Sequence, residues 1–516
     1  MKKLPIGIQS FEEIATGGYY YVDKTYFVAK LTNEGKFYFL SRPRRFGKSL
    51  FLDTIKQAFL GKRELFKGLY LYDNWDWSQT YPVLNIDFGG GLVDDAGTLE
   101  KWIKVQIGRN FENLGISANV DDDYRTAFED LILKAQAHYK HKVVILIDEY
   151  DKPILDRIDN IEKAIAIRDV LKNLYSVIKP LDAYIKLVFL TGVSRFSKVS
   201  IFSGLNQLQD ITLNPEYATI CGYTQRELEK VFEDRVKDFD KEELKVWYNG
   251  YSWLGERMYN PFDILLLFSE KRFRAYWFET GTPTFLIKLF QKNAYYVPKL
   301  EELKVGEELL SNLDIDYIFP ENLLFQSGYL TIKELVRVGS KNVYVLTYPN
   351  LEVRMSFNDA FLTYLTPVPV AKDGTQIELI SAFEKGAVER LKEILVSFFA
   401  SFPADWYRKN NIQEYEGYYA SVVYALFNGA GLTVVAEDTT TTGRIDLTVL
   451  WNKRAYIVEF KVVEGKGEGK ALQQIKEKRY YEKYKNNSSE IYIIGIEFSK
   501  EQRNIVFYQW ERITSV

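Results

Sequence analysis

The sequence predicts an α/β protein of several domains, on three observations. Phe37–Leu50 reads as a short apolar strand, a basic turn ending in Gly47-Lys48-Ser49, and the start of a helix. Lys142–Tyr150 is a nearly continuous apolar run, KVVILIDEY, that closes on Asp148-Glu149. Near the end of the chain, Arg444–Trp451 and Ala455–Val462 read as neighbouring strands carrying Asp446, Glu459 and Lys461. An apolar run without polar alternation is what a central parallel strand, covered on both faces, requires. Strands alternating with helices argue for a three-layer domain with a mostly parallel sheet.

Composition bounds the rest. A chain of 516 residues is too long for one ordinary core. Hydrophobic residues make up 47%, enough to bury several cores. The net charge of -3 excludes a chain that is basic throughout, so any nucleic-acid surface is local. One cysteine, Cys221, rules out an intrachain disulfide and suits a reducing compartment. With His138 and His141 as the only histidines, metal chemistry falls to carboxylates, which suit Mg²⁺. No apolar run is long enough to span a membrane, and no signal peptide opens the chain. A soluble, cytoplasmic protein without a membrane partner is expected.

Taken in order, a turn at Gly17-Gly18 precedes a helix expected to start near Asp23. Strand, loop and helix at 37–59 form the context of a P-loop. Backbone N–H groups at the helix start have no intrahelical partner and face the phosphate. Arg45, Phe46, Gly47, Lys48, Ser49 and Leu50 would therefore line a nucleotide, with Lys48 on the outer phosphates and Ser49 on Mg²⁺. The usual pattern has a glycine five residues before the second glycine, and here that position is Arg42. Arg42, Arg44 and Arg45 are expected to add positive charge near the phosphates.

Further strands are expected at Pro82–Phe88 and Ile185–Thr191, with a short one at Leu208–Leu213 and helices at about 96–139 and 161–178. Asp148 at its strand end would orient Mg²⁺, and Glu149 would polarise the water attacking the γ-phosphate. Thr191 would sense that phosphate, with Ser194 as the other candidate, and Arg195 would touch phosphate in its own chain or across a subunit contact. From Tyr223 to about Leu310 the pattern turns helical and reads as a lid, opened by a capping box at Thr224–Glu227. A short helix at Pro320–Ser327 and strands at Tyr329–Val336 and Asn342–Thr347 read as a winged-helix-like spacer. A turn-rich stretch, Pro367–Gly374, marks the expected domain boundary. Helices at Ile377–Phe399 and Tyr415–Phe427, strands, and a helical region at about 469–484 complete the chain. The expected domains are 1–215, 216–314, 315–370 and 371–516.

In the last of these, Glu459 and Lys461 lie two apart on one strand and so project from the same face. Asp446 on the adjacent strand reaches the same spot. Asp446 and Glu459 would hold Mg²⁺, and Lys461 would orient water or stabilise charge at a scissile phosphate. Glu416 on the preceding helix and Gln474 on the following one would complete the centre. Helix with glutamate, strand with aspartate, strand with ExK, helix with glutamine is the order of a restriction-endonuclease-like α/β domain.

With these residues in view, the chain resembles the bacterial and archaeal family of predicted AAA-ATPase-like proteins that carry a C-terminal PD-(D/E)XK nuclease-superfamily domain. The marks are YYYVDKT at 19–25, FLSRPRRFGKSL at 39–50, LIDEYDKP at 146–153 and TGVSRFSKVSIFSGLN at 191–206. WYNGY at 247–251, YNPFDIL at 259–265, LLFQSGYLTIK at 323–333 and YPNLEVR at 348–354 continue it. GRIDLTVL at 443–450, IVEFK at 457–461 and ALQQIKEKRYY at 471–481 close it. The resemblance implies a P-loop NTPase domain with ATP and Mg²⁺ as ligands, in which Glu149 is the catalytic glutamate beside the Walker B aspartate, Asp148. It also implies that RPRRFGKS is the loop these proteins use. Members often carry a histidine after the helix glutamate and tyrosine, and this chain has Ala420 there. The expected function is an ATPase coupled to a Mg²⁺-dependent nuclease acting on DNA or RNA, with defence or mobile-element handling as the analogous role and a homo-oligomer as one form. A signalling ATPase whose nuclease-like domain only binds nucleic acid or a protein partner stands as the alternative.

Overall fold

A computed structural model describes residues 1–91, 93–117, 123–196, 201–278, 296–311, 313, 319–365, 369–402 and 416–513. The chain forms two compact units, Met1–Trp277 with Lys304–Asn350, and Phe278–Leu303 with Leu351–Val516.

The first unit is built on a parallel sheet of β1 (Phe37–Ser41), β2 (Val83–Asp87), β3 (Val143–Asp148), β4 (Ile185–Gly192) and β5 (Gln209–Asp210). Their order across the sheet is β2-β3-β4-β1-β5, and every pairing is parallel. All residues of β1 and β3 are buried. That is why both read as unbroken apolar runs. Helices Ala96–Asn113, Tyr124–Tyr139 and Ile161–Ser176 contribute to a core that includes Leu84, Ile145 and Val188 from the strands. The expected 96–139 region is thus two helices, and helix Lys48–Phe59 follows β1.

The expected lid is not wholly helical. β6 (Tyr223–Thr224), β7 (Asn249–Tyr251) and β8 (Met258–Tyr259) form a small sheet, ordered β6-β8-β7, among short helices. The capping box is present: Thr224 accepts from the Glu227 N–H, and the Glu227 carboxylate accepts from the Thr224 N–H. Residues 279–295, read as part of that helical region, lie outside the described residues. Helix Pro320–Ser327 matches its expectation, and β10 (Thr331–Val338) and β11 (Lys341–Thr347) form the hairpin. A third strand, β9 (Leu303–Gly306), lies beside β11.

The second unit carries β12 (Thr433–Thr440), β13 (Gly443–Trp451), β14 (Arg454–Val463), β15 (Glu490–Ser499) and β16 (Ile505–Ile513), in that spatial order. Only β14 and β15 pair in parallel, and helix Lys470–Lys478 joins them. Of the expected turn-rich stretch Pro367–Gly374, residues 367 and 368 lie outside the described residues, and from Pro369 a helix runs to Lys385. Proline fits a first helical turn, because its missing N–H would have no intrahelical partner there. The helix expected over 377–399 is two, broken at Gly386, whose φ is +65.

Candidate functional site

The candidate phosphate loop leaves the carboxyl end of β1 and closes on Gly47, the N-cap of helix Lys48–Phe59, with φ +90. Arg45 also has positive φ, +67. Both residues turn the backbone so that the loop wraps ahead of the helix. Lys48 is buried, and its Nζ donates to the carbonyls of Arg42 (2.9 Å) and Pro43 (3.0 Å). Burial lowers its pKa, against the raising effect of Asp148, Glu149 and Asp151. Ser49 and Leu50 are half-buried on the first turn.

Arg42 corrects an expectation. It is fully buried, and its guanidinium donates to the carbonyls of Ser41, Thr212, Tyr217 and Ala218. It also lies over the Trp253 ring at 4.2 Å. Burial lowers its pKa to about 10, still well above neutrality. Its charge is spent on the protein interior, not on phosphate. Arg44 and Arg45 are exposed, and Arg45 stacks on Phe262 at 4.8 Å. The Phe46 ring packs edge-on against Tyr251 and Trp253.

Two strands away, Asp148 ends β3. Its Oδ1 accepts from the Thr191 hydroxyl (2.5 Å) and from the Glu149 N–H (3.0 Å). Thr191 is fully buried, so its hydroxyl holds Asp148. Glu149 has φ +50, an uncommon backbone conformation for a residue with a Cβ. Burial raises its pKa; Lys48 opposes this, and Asp148, Asp151 and Asp87 add to it. Arg195 does not reach this group: its Nε pairs with Asp210 in the same chain.

Two acids beside these were missed in the sequence. Asp87 ends β2 directly opposite Asp148, and a Cβ on Gly89 would lie 2.9 Å from Asp87 and 3.0 Å from Glu149. The rule that singled out Asp148, a carboxylate at the end of a buried strand, would also have found Asp87. Asp151 is buried and accepts from the N–H groups of Val193 and Ser194, which ties the ends of β3 and β4 together. Beside the loop, Tyr21, Val22, Gly47, Leu50, Cys221 and Tyr223 line a mostly apolar cleft.

In the second unit, pairing of Leu447 with Val458 brings Asp446 alongside the Glu459–Lys461 stretch. The Asp446 Oδ2 accepts from the Phe460 N–H at 2.7 Å. Glu459 is 1% exposed, with Lys461 Nζ 3.6 Å from its Oε1, and the Gln474 amide donates to the same oxygen. Phe460 is buried, as its alternation requires. Glu416 opens helix Glu416–Gly429, but its side chain lies outside the described residues. Tyr480 was missed: its hydroxyl faces Gly443, where a Cβ would stand 2.8 Å away, close to Gln474, Glu459 and Asp446. It sits inside the quoted ALQQIKEKRYY stretch, where two adjacent tyrosines gave no ground for choosing one.

Both donor sets are hard oxygen groups, which suits Mg²⁺, an ion commonly held by one or two carboxylates with waters completing its shell. Asp446 with Glu459, and Ser49 with Asp148, fit that description. Among the described residues no group of three acids, histidines or cysteines is placed to hold a metal alone.

A family model described as predicted AAA-ATPase matches residues 5–202, and a PD-(D/E)XK nuclease-superfamily model matches 414–508. A protein of Azotobacter chroococcum mcd 1, "Uncharacterized protein in vnfD 5'region", is 49% identical over 513 residues, covering 99% of each chain. The chain belongs to this AAA-ATPase-like family. Its parallel five-stranded sheet is that of a P-loop NTPase domain, and its C-terminal sheet that of the PD-(D/E)XK domain. Among solved structures, the Aeropyrum pernix Orc1 protein in complex with DNA is similar at 12% identity and a TM-score of 0.26, over 69% of this chain and 98% of that one.

Proposed function

We propose that the first unit binds and hydrolyses Mg-ATP, and that the second is a Mg²⁺-dependent nuclease-like domain acting on DNA or RNA. The observation that carries this reading is the convergence of Lys48, Asp148, Thr191 and Glu149 at the carboxyl ends of β1, β3 and β4, where open α/β sheets bind ligands. The N–H groups opening helix Lys48–Phe59 receive the phosphates. Lys48 exchanges two loop carbonyls for phosphate oxygens. The apolar cleft takes the base. Thr191 holds Asp148 for the metal, and Glu149 polarises the attacking water. Mg²⁺, when bound, offsets the charge on the phosphate oxygens at either centre. In the second unit, Asp446 and Glu459 hold the ion, Lys461 orients water, and Gln474 holds Glu459.

Calorimetric titration with Mg-ATP tests the first part, and divalent-dependent cleavage of DNA and RNA tests the second. Tight Mg-ATP binding with phosphate release is expected, as is cleavage lost in Glu459→Ala and Lys461→Ala. No heat of binding would sink the nucleotide reading. Nucleic-acid binding without cleavage would leave the signalling ATPase as the better account.

A further inference from the structure

The helix and hairpin at 320–347 read in the sequence as a spacer. Their contacts also reach the segment after β4 and the loop after β1. Gln326 is buried and grips the backbone of Arg195 from both sides: its Oε1 accepts from the Arg195 N–H (2.9 Å), and its Nε2 donates to the Arg195 carbonyl (3.4 Å). The Leu313 N–H reaches the same carbonyl at 3.0 Å. Arg195 lies four residues beyond Thr191, on the segment whose Val193 and Ser194 N–H groups are held by Asp151. The hydrogen-bonded path from Asp148 through Thr191 therefore ends on helix Pro320–Ser327.

The other end of that helix touches the phosphate loop. Gly328, its C-cap, has φ +93, and a Cβ there would lie 2.7 Å from the Pro43 side chain. Trp277 Nε1 donates to the Arg44 carbonyl (3.1 Å), and its ring packs against Tyr329 at 5.2 Å. Pro43 and Arg42 carry the carbonyls that Lys48 occupies. A small cavity lies between the loop, Arg195 and this helix, lined by Pro43, Arg195, Phe325 and Gln326 among others. It runs on through Tyr329 and Leu330 into β10, an edge strand with Leu335, Val336 and Val338 exposed.

We infer that helix Pro320–Ser327, in contact with the loop at Gly328, passes nucleotide occupancy to the exposed 331–347 hairpin. The inference rests on the nucleotide reading above. When Lys48 leaves the Arg42 and Pro43 carbonyls for phosphate, the loop contact at Gly328 changes, while Gln326 keeps the helix registered to Arg195, on the segment that follows β4. The hairpin, which has few buried side chains, is the part free to respond.

Hydrogen exchange on the full chain, with and without a saturating non-hydrolysable Mg-ATP analogue, tests this. Nucleotide should protect 43–50 and also change exchange in 331–347 by about fivefold or more, the lower end of ordinary coupling between sites. In Gln326→Ala, protection of 43–50 should persist while the hairpin's response shrinks, a pattern that mere loss of stability would not produce. Protection of 43–50 with an unaltered hairpin in the wild type would overturn the inference and leave the nucleotide reading intact. Absence of protection at 43–50, with no calorimetric binding, would overturn both.

Discussion

Arg42 stands where a phosphate loop ordinarily carries glycine, and its side chain accounts for the exchange. Four carbonyls from β1 and from 212–218 converge on the guanidinium, so the loop is pinned from behind. Hydrogen bonds from charged donors are each worth about 1.5–3 kcal/mol. Arg42→Gly should therefore cost at least ~3 kcal/mol in a urea melt and should not improve nucleotide binding. Removing the Lys48 ammonium by Lys48→Ala should abolish Mg-ATP binding in a calorimeter. Glu149→Gln should bind normally yet turn over ~100-fold slower, about 3 kcal/mol of lost transition-state stabilisation. In its proposed role Glu149 must be ionised, and burial, with Asp148, Asp151 and Asp87 adding to it against Lys48, raises its pKa above the ordinary value. Turnover should accordingly fall on acidification before an ordinary glutamate would titrate. Asp87→Asn removes one raising charge and should move that acidic limb to lower pH in a kcat–pH profile. At this scale the candidate sites are legible in the sequence where their pattern is local, as at Gly47-Lys48-Ser49, Asp148-Glu149 and Glu459-Lys461. Asp87 was within reach of the same strand-end rule, but Gln326 was not, because its contact comes from packing across some 130 residues of chain.

Helix Lys470–Lys478 shows how an element sets up a residue. Gln474 reaches Glu459 only if that helix lies flat on β15. Two features hold it there. Gly495 leaves no room, since a Cβ would lie 2.4 Å from the Leu472 nitrogen. Glu497, fully buried, accepts from the N–H groups of Glu468 and Ala471 and so caps the helix start. Glu497→Ala leaves those two donors unsatisfied. It should destabilise by roughly 1–3 kcal/mol in thermal or urea unfolding and lower any nuclease activity through Gln474. The elements themselves were read unevenly. Long buried strands such as β3 and β14 were clear, because burial on both faces enforces an apolar run. The two-residue strands β6 and β8 carry no periodicity to detect. The Pro369–Lys385 helix was misread because proline and Gly374 signal turns, although proline is tolerated at a helix start and one interior glycine costs only ~1 kcal/mol.

At the scale of the whole chain, the two units have separate cores: the parallel sheet with its flanking helices in one, and Ile445, Ile457, Leu472 and Ile493 with their neighbours in the other. Separate cores predict separate unfolding, and a ligand stabilises only the fold that binds it. A ligand present at a hundred times its Kd adds about 2.7 kcal/mol to the state that binds it. In scanning calorimetry, Mg-ATP should therefore raise the transition of the unit containing Lys48 and leave that of the 351–516 unit in place. Lys48→Ala should erase the shift without moving the second transition, and Glu459→Ala should leave the shift untouched. A single transition that moves as one with ATP would mean that the two cores unfold together, and then the nucleotide would stabilise the carboxylate centre of the second unit as directly as its own loop. Separate transitions leave a narrower route for control: nucleotide must act through a part of the first unit that changes shape, and the hairpin carried by helix Pro320–Ser327 is the part whose contacts with the phosphate loop and with the strand bearing Thr191 equip it to do so.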